Sequence, residues 1–188
     1  MINIMKWLDA NLERYLLIVF SIVMVIVIFT QVVMRYLFDN SLAWSEELAR
    51  YCFIWLVYIG VSYGVKEQRH IKIDLVLIRF KEKGRILLSL LSNLLFLSFA
   101  LYIVVFGAVI TEAIMSYGQS SPSLQIPMGI IYLAAPIGMG LTSIRLLQQM
   151  IKQVRTLMGT GSFEVKTEKD EVLEDVGLKP SNNEGGKQ

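Results

Sequence analysis

The chain is poor in the side chains that do chemistry. Its one cysteine, Cys52, excludes an internal disulfide and any cysteine-based metal cluster, and its place in an apolar run marks it as a packing thiol. His70 is the only histidine and lies among charges, so the paired axial ligands of a four-helix membrane haem protein are missing. No Ser/His/Asp or Cys/His set, phosphate-cradling glycine loop or metal-ligand spacing occurs. A small proton-coupled exchanger needs an acid in the middle of a span, and the long apolar runs hold none; Glu112 closes such a run as an interfacial cap. Basic patches interleaved with aromatics are absent as well, which argues against nucleic acid as a partner.

What the chain has in excess is apolar length. Hydrophobic residues make up 54% and charged ones 18%, with a mean hydropathy of +0.54, too apolar for a water-soluble domain of this size. The pattern predicts an all-α integral membrane protein with four transmembrane helices and short interfacial amphipathic helices. Residues 1–14 place Ile4, Met5, Leu8 and Leu12 at helical spacing and predict an amphipathic helix in the interface. Tyr15–Met34 is free of charge, about 30 Å as a helix, and is read as a retained first span because no small-x-small cleavage site follows it.

A polar turn over 35–47 follows, with Glu46 and Glu47 near the start of a helix, where carboxylates suit the exposed N–H groups. The second span is expected over 48–65, with Arg50 snorkelling or pairing with Glu46. Residues 66–85 form the most cationic segment, in which Asp74 is placed to cap a short helix ended by Gly84. The third span, 86–111, is about 39 Å long and must tilt. A polar loop over 112–125 leads to a fourth span over 126–147, where Pro136 removes the hydrogen bond to the Tyr132 carbonyl and predicts a kink. Residues 148–188 form a tail, expected to be disordered from about residue 159.

Charge is segregated along this plan. Residues 160–188 carry seven acids against four lysines, and the rest carries nine acids against fourteen Lys and Arg. Near the spans, twelve Lys and Arg fall on the side of the termini and the 66–85 loop, against two on the other side. The positive-inside rule therefore predicts cytoplasmic termini in a bacterial inner membrane, with the 35–47 turn and the 112–125 loop in the periplasm.

The spans carry packing chemistry. Gly60 and Gly64 form one small-xxx-small pair, and Ala134, Gly138 and Thr142 form another. Packing within the bundle is the first reading of both, and Asn93 at lipid depth is read as glue between helices. His70, Lys72 and Asp74 are read as interfacial residues.

The stretch RYLFDNSLAWSEELARYCFIWLVYIGVSYGVKEQRHIKIDLVL, residues 35–77, resembles the small membrane subunit, DctQ type, of tripartite ATP-independent periplasmic (TRAP) transporters. SPSLQIPMGIIYLAAPIGMGL, residues 121–141, looks like that family's last span, so the resemblance covers roughly residues 10–150. It implies a non-enzymatic subunit of a sodium-driven importer of an organic carboxylate. The implied partners are a large permease subunit (DctM type), which carries solute and sodium, and a periplasmic substrate-binding protein (DctP type). No cofactor is expected on this chain. The overall wording leans towards the sialic-acid branch rather than the C4-dicarboxylate one, with no residue carrying that lean.

Two interaction surfaces are expected on that basis. Asp39, Trp44, Glu46, Glu47, Gln119 and Gln125 would meet the binding protein. Arg50, Gly60, Gly64, Ala134, Gly138 and Thr142 would hold the large subunit. The competing classes are an independent homo-oligomeric transporter or channel and a membrane assembly factor.

Overall fold

The computed structural model describes residues 2–67 and 82–158, and the described residues are all-α, with four helices long and apolar enough to cross a membrane. Helix α1 (Ile2–Leu37) holds no glycine or proline over its 36 residues. With nothing to interrupt the hydrogen-bond ladder, the segment 2–14, expected as a separate interfacial helix, runs unbroken into the span. Helix α2 (Ala43–Lys66) starts five residues before the expected span, so Glu46 and Glu47 lie within its first turns. Helix α3 is Glu82–Ser116.

The fourth span comes in two pieces, the short α4 (Gly129–Tyr132) and α5 (Ala134–Leu157). Their junction, Leu133, keeps helical dihedrals (φ −60°, ψ −22°) and follows Tyr132, the residue whose carbonyl Pro136 leaves without its helical partner. The helix assignment is interrupted at Leu133, yet the backbone does not unwind there. The segments 68–81 and 159–188, with the Asp74-capped helix and the tail, lie outside the described residues.

The helices pack in the succession α1, α2, α5, α3, with α1 and α3 at the two ends. The α1–α2 contact includes stacked Phe20 and Trp55 rings, centroids 6.3 Å apart. Against α5, α2 approaches so closely that a Cβ on Gly138 would stand 2.5 Å from Tyr58 Cβ and 2.9 Å from its carbonyl oxygen. The α3–α5 contact seats Pro136 on Gly107. Val65, Leu97 and Leu146 form a small apolar core where α2, α3 and α5 meet, flanked by Phe96 and Met150.

Most large apolar side chains point outward. On α1, Tyr15, Ile18, Ile22, Val25, Phe29, Val32 and Tyr36 form an exposed stripe at three- and four-residue spacing. In water this would be a liability; in lipid it is the solvated surface, and the helices satisfy their own backbone groups.

Candidate functional site

Two polar constructions lie at opposite ends of α2. The first is built on Glu47. One turn inside α2 its side chain leaves the exposed face and reaches across to the loop between α3 and α4. Oε2 accepts the backbone N–H groups of Ser123 and Leu124 at 2.9 and 3.0 Å, and Oε1 accepts the Tyr51 hydroxyl. Tyr51 Oη also lies 3.6 Å from Met128 Sδ.

The loop itself is closed by its own backbone. Ser121 N–H donates to the Ile126 carbonyl at 2.8 Å and Met128 N–H to the Gln119 carbonyl at 2.9 Å, while the buried Ser121 hydroxyl accepts from Ile126 N–H at 3.2 Å. Gly118 (φ 62°) and Gln125 (φ 56°) take the left-handed conformations this tight path requires. The polar loop expected over 112–125 therefore follows a defined path, and the Glu47 carboxylate holds it.

Glu47, expected on a surface open to a soluble partner, is instead a buried residue, 8% exposed, whose two carboxylate oxygens are taken up within the chain. Asp39, Trp44, Glu46, Gln119 and Gln125 are exposed at the same end. Asp39 has φ 49°, in the turn between α1 and α2. Beside them a cleft of 770 Å³ opens between α2 and the α4–α5 junction, floored by Ile54, Tyr58, Ile131, Tyr132 and Ala135, with Glu46 and Arg50 at its mouth. Arg50 Nη2 meets Glu46 Oε1 at 3.2 Å, and the two side chains are 65% and 67% exposed.

The large-subunit candidates divide. Ala134 and Thr142 are fully buried, Thr142 returns its hydroxyl to the Gly138 carbonyl at 2.8 Å, and Gly138 lies under Tyr58. This face is spent on α2 within the chain, so it is no free docking surface. Gly60 faces α1, where an added Cβ would stand 3.7 Å from Leu17 Cδ2. Gly64 has nothing within 4 Å of such a Cβ, and with Arg50 it remains open. His70, Lys72 and Asp74 lie outside the described residues.

The second construction escaped sequence reading. Glu13 is fully buried at the far end of α2. Its Oε1 lies 2.7 Å from Arg145 Nε of α5 and accepts the Ser62 hydroxyl of α2 at 3.0 Å. Oε2 has Lys66 Nζ at 3.3 Å as an ionic contact without aligned hydrogen-bond geometry. Arg145 Nη1 continues to Gln148 Oε1 at 2.9 Å. Three helices thus converge on one carboxylate, at an end of the spans where each charge has a charged partner.

A neutral polar relay ties α3 to α5 nearby. Asn93 donates to Gln153 Oε1 at 3.1 Å, and Gln153, fully buried, donates to Ser89 Oγ at 2.9 Å. The sequence signal for the charged cluster was Arg145: a cation inside the fourth span needs an acid at its depth, and Glu13 sits at the matching end of the first.

Known proteins agree with the resemblance. The family described as tripartite ATP-independent periplasmic transporters, DctQ component, matches residues 24–156. The isethionate TRAP transporter permease protein DctMQ of Oleidesulfovibrio alaskensis is 32% identical over 81% of this chain, which spans 25% of that protein's length. A putative TRAP transporter small permease protein of Haemophilus influenzae is 32% identical over 72% of this chain and 80% of its own. The sialic acid TRAP transporter small permease protein SiaQ of Vibrio cholerae is 24% identical over 86% of this chain and 92% of its own. The chain belongs to the DctQ family: it is a small TRAP transporter permease subunit, a transport component and not an enzyme.

Proposed function

We propose that this subunit works in the bacterial inner membrane as the fixed, non-catalytic part of a sodium-driven importer of an organic carboxylate. Solute and sodium travel through the large permease, and this chain widens that permease's immobile base. The exposed residues Asp39, Trp44, Gln119 and Gln125 face the periplasm and form part of the landing surface for the substrate-binding protein, with both termini in the cytoplasm.

The observation that carries this reading is the use made of the buried charges. Glu13 and Glu47 are both spent in holding helices and a loop together. A carboxylate locked on two cations, or on two backbone amides and a phenol, serves a rigid scaffold better than a path that must bind and release an ion. The relatives named for isethionate and for sialic acid support an organic acid as the solute class, and one solute is not singled out between them.

Affinity purification tests the partnership. The tagged chain, expressed together with a DctM-type permease and a DctP-type binding protein from the same organism, should retain the large permease in stoichiometric amount. Binding-protein affinity should fall on Trp44→Ala. Purification of the chain as a lone homo-oligomer would refute the proposal, and unchanged affinity in Trp44→Ala would refute the landing surface.

A further inference from the structure

Glu47 joins two parts of the chain that are each closed without it. The loop between α3 and α4 keeps its shape through its own backbone, with Ser121 N–H on the Ile126 carbonyl and Met128 N–H on the Gln119 carbonyl. The helices keep their packing lower down, where α2 is pressed on α5 at Gly138 and Tyr58. What the carboxylate adds is the placement of the loop on the first turns of α2. Oε2 takes the Ser123 and Leu124 N–H groups at 2.9 and 3.0 Å, and Oε1 takes the Tyr51 hydroxyl.

Packing alone would not call for a charge at this point. Burying a carboxylate gives up solvation that an apolar side chain never had, whereas two neighbouring amides on one carboxylate oxygen make directional bonds strengthened by its charge. An apolar contact lets the loop slide over the helix. This contact fixes both its position and its rotation.

The groups fixed in this way face outward at the same end. Trp44 and Glu46 stand within one turn of Glu47, and Gln119 and Gln125 lie on either side of Ser123 and Leu124; all four are exposed. Gln125 is held further, by its φ of 56° and by its side-chain amide, which donates to the Pro122 carbonyl at 3.1 Å. Ser123 is 76 positions from Glu47 in sequence, so this one side chain sets how the helix half and the loop half of the surface stand to each other. A soluble partner touching both halves meets a surface already assembled, and gives up less freedom on docking than if the loop had first to be ordered.

We propose that Glu47 is the positioning residue for docking of the periplasmic binding protein: it touches no partner itself, and it holds the α2 half and the loop half of the landing surface in one arrangement. This rests on the landing surface proposed above and deepens it, by assigning that surface an internal fastening.

Uptake by the complete reconstituted transporter, with the binding protein titrated, tests the assignment. Glu47→Ala should raise the binding-protein concentration at half-maximal uptake about tenfold and leave the maximal rate close to that of wild type. Glu13→Gln, at the other end of α2, should lower the stability of the subunit and leave the half-saturating concentration unchanged. If Glu47→Ala does not fold, Tyr51→Phe carries the same test: it deprives the carboxylate of one donor and should raise the half-saturating concentration about threefold.

An unchanged half-saturating concentration in Trp44→Ala refutes the landing surface, and the role of Glu47 falls with it. A raised value in Trp44→Ala beside an unchanged one in Glu47→Ala, or in Tyr51→Phe where that variant stands in, leaves the surface in place and overturns the positioning role. Loss of maximal rate alone in Glu47→Ala overturns it too, as does an equal rise in Glu13→Gln, because either marks a general loss of stability.

Discussion

Replacing Glu13 by glutamine keeps the side-chain volume and removes the charge that Arg145 and Lys66 share. Breaking a buried ion pair by deleting one partner costs about 3–5 kcal/mol, because the remaining charge is left without compensation. Here the remaining cations are not fully enclosed: the Arg145 side chain is 9% exposed and that of Lys66 is 19% exposed. Both can relax towards the interface, and the substituted amide still offers an oxygen to the Ser62 hydroxyl. The cost should therefore sit at the low end, about 3 kcal/mol, or about a hundredfold in the folding equilibrium.

Titration with a denaturing detergent in mixed micelles reads that cost. Trp55, stacked on Phe20 at the α1–α2 contact, reports separation of α1 once Trp7 and Trp44 are changed to phenylalanine. Arg145→Gln alone should cost as much or more. The Glu13→Gln/Arg145→Gln double variant should cost clearly less than the sum, since Lys66, 19% exposed and able to relax towards the interface, is then the one cation deprived of the Glu13 charge. Additive effects, or a Glu13→Gln variant within about 0.5 kcal/mol of wild type, would refute the idea that this carboxylate holds three helices together.

Further expectations concern the other contacts. Gly138→Ala must push α2 and α5 apart against the Tyr58 backbone and should cost about 1–3 kcal/mol in the same titration, while Gly64→Ala stays within about 0.5 kcal/mol. Glu47→Ala removes the acceptor for Ser123 and Leu124 N–H, so hydrogen exchange at these two amides should accelerate and the loop should become open to protease, with helix content unchanged. Asp39→Asn, which keeps a residue tolerant of the left-handed backbone, should weaken binding-protein affinity without affecting the subunit's stability. A loss of stability in that variant would assign Asp39 to the fold instead.

The four apolar runs, the interruption near Pro136 and the exposed Glu46–Arg50 pair were all legible in the sequence, because each depends on neighbours within a few residues. Glu13 was not. The periodicity of residues 1–14 sets it on the polar side of an interfacial helix, and only the α5 residue Arg145, 132 positions later, turns that side inward. Glu47 was misread for a similar reason: its place near a helix start suggests a carboxylate serving its own helix or a soluble partner, whereas the amides it binds belong to Ser123 and Leu124. The two glycine motifs look alike as spacing. What separates them is the neighbour brought by tertiary packing, Tyr58 over Gly138 and open space beside Gly64.

The central claim is that this chain supports transport without performing it. Purified subunit, large permease and binding protein, reconstituted in liposomes under an inward sodium gradient, provide the direct measurement, read as uptake of labelled sialic acid, a C4-dicarboxylate and isethionate. The account predicts uptake of one of these by the complete set, none by this chain alone under any gradient, and loss of uptake when this chain is omitted. Solute accumulation by the purified chain alone, or full uptake in its absence, would contradict it.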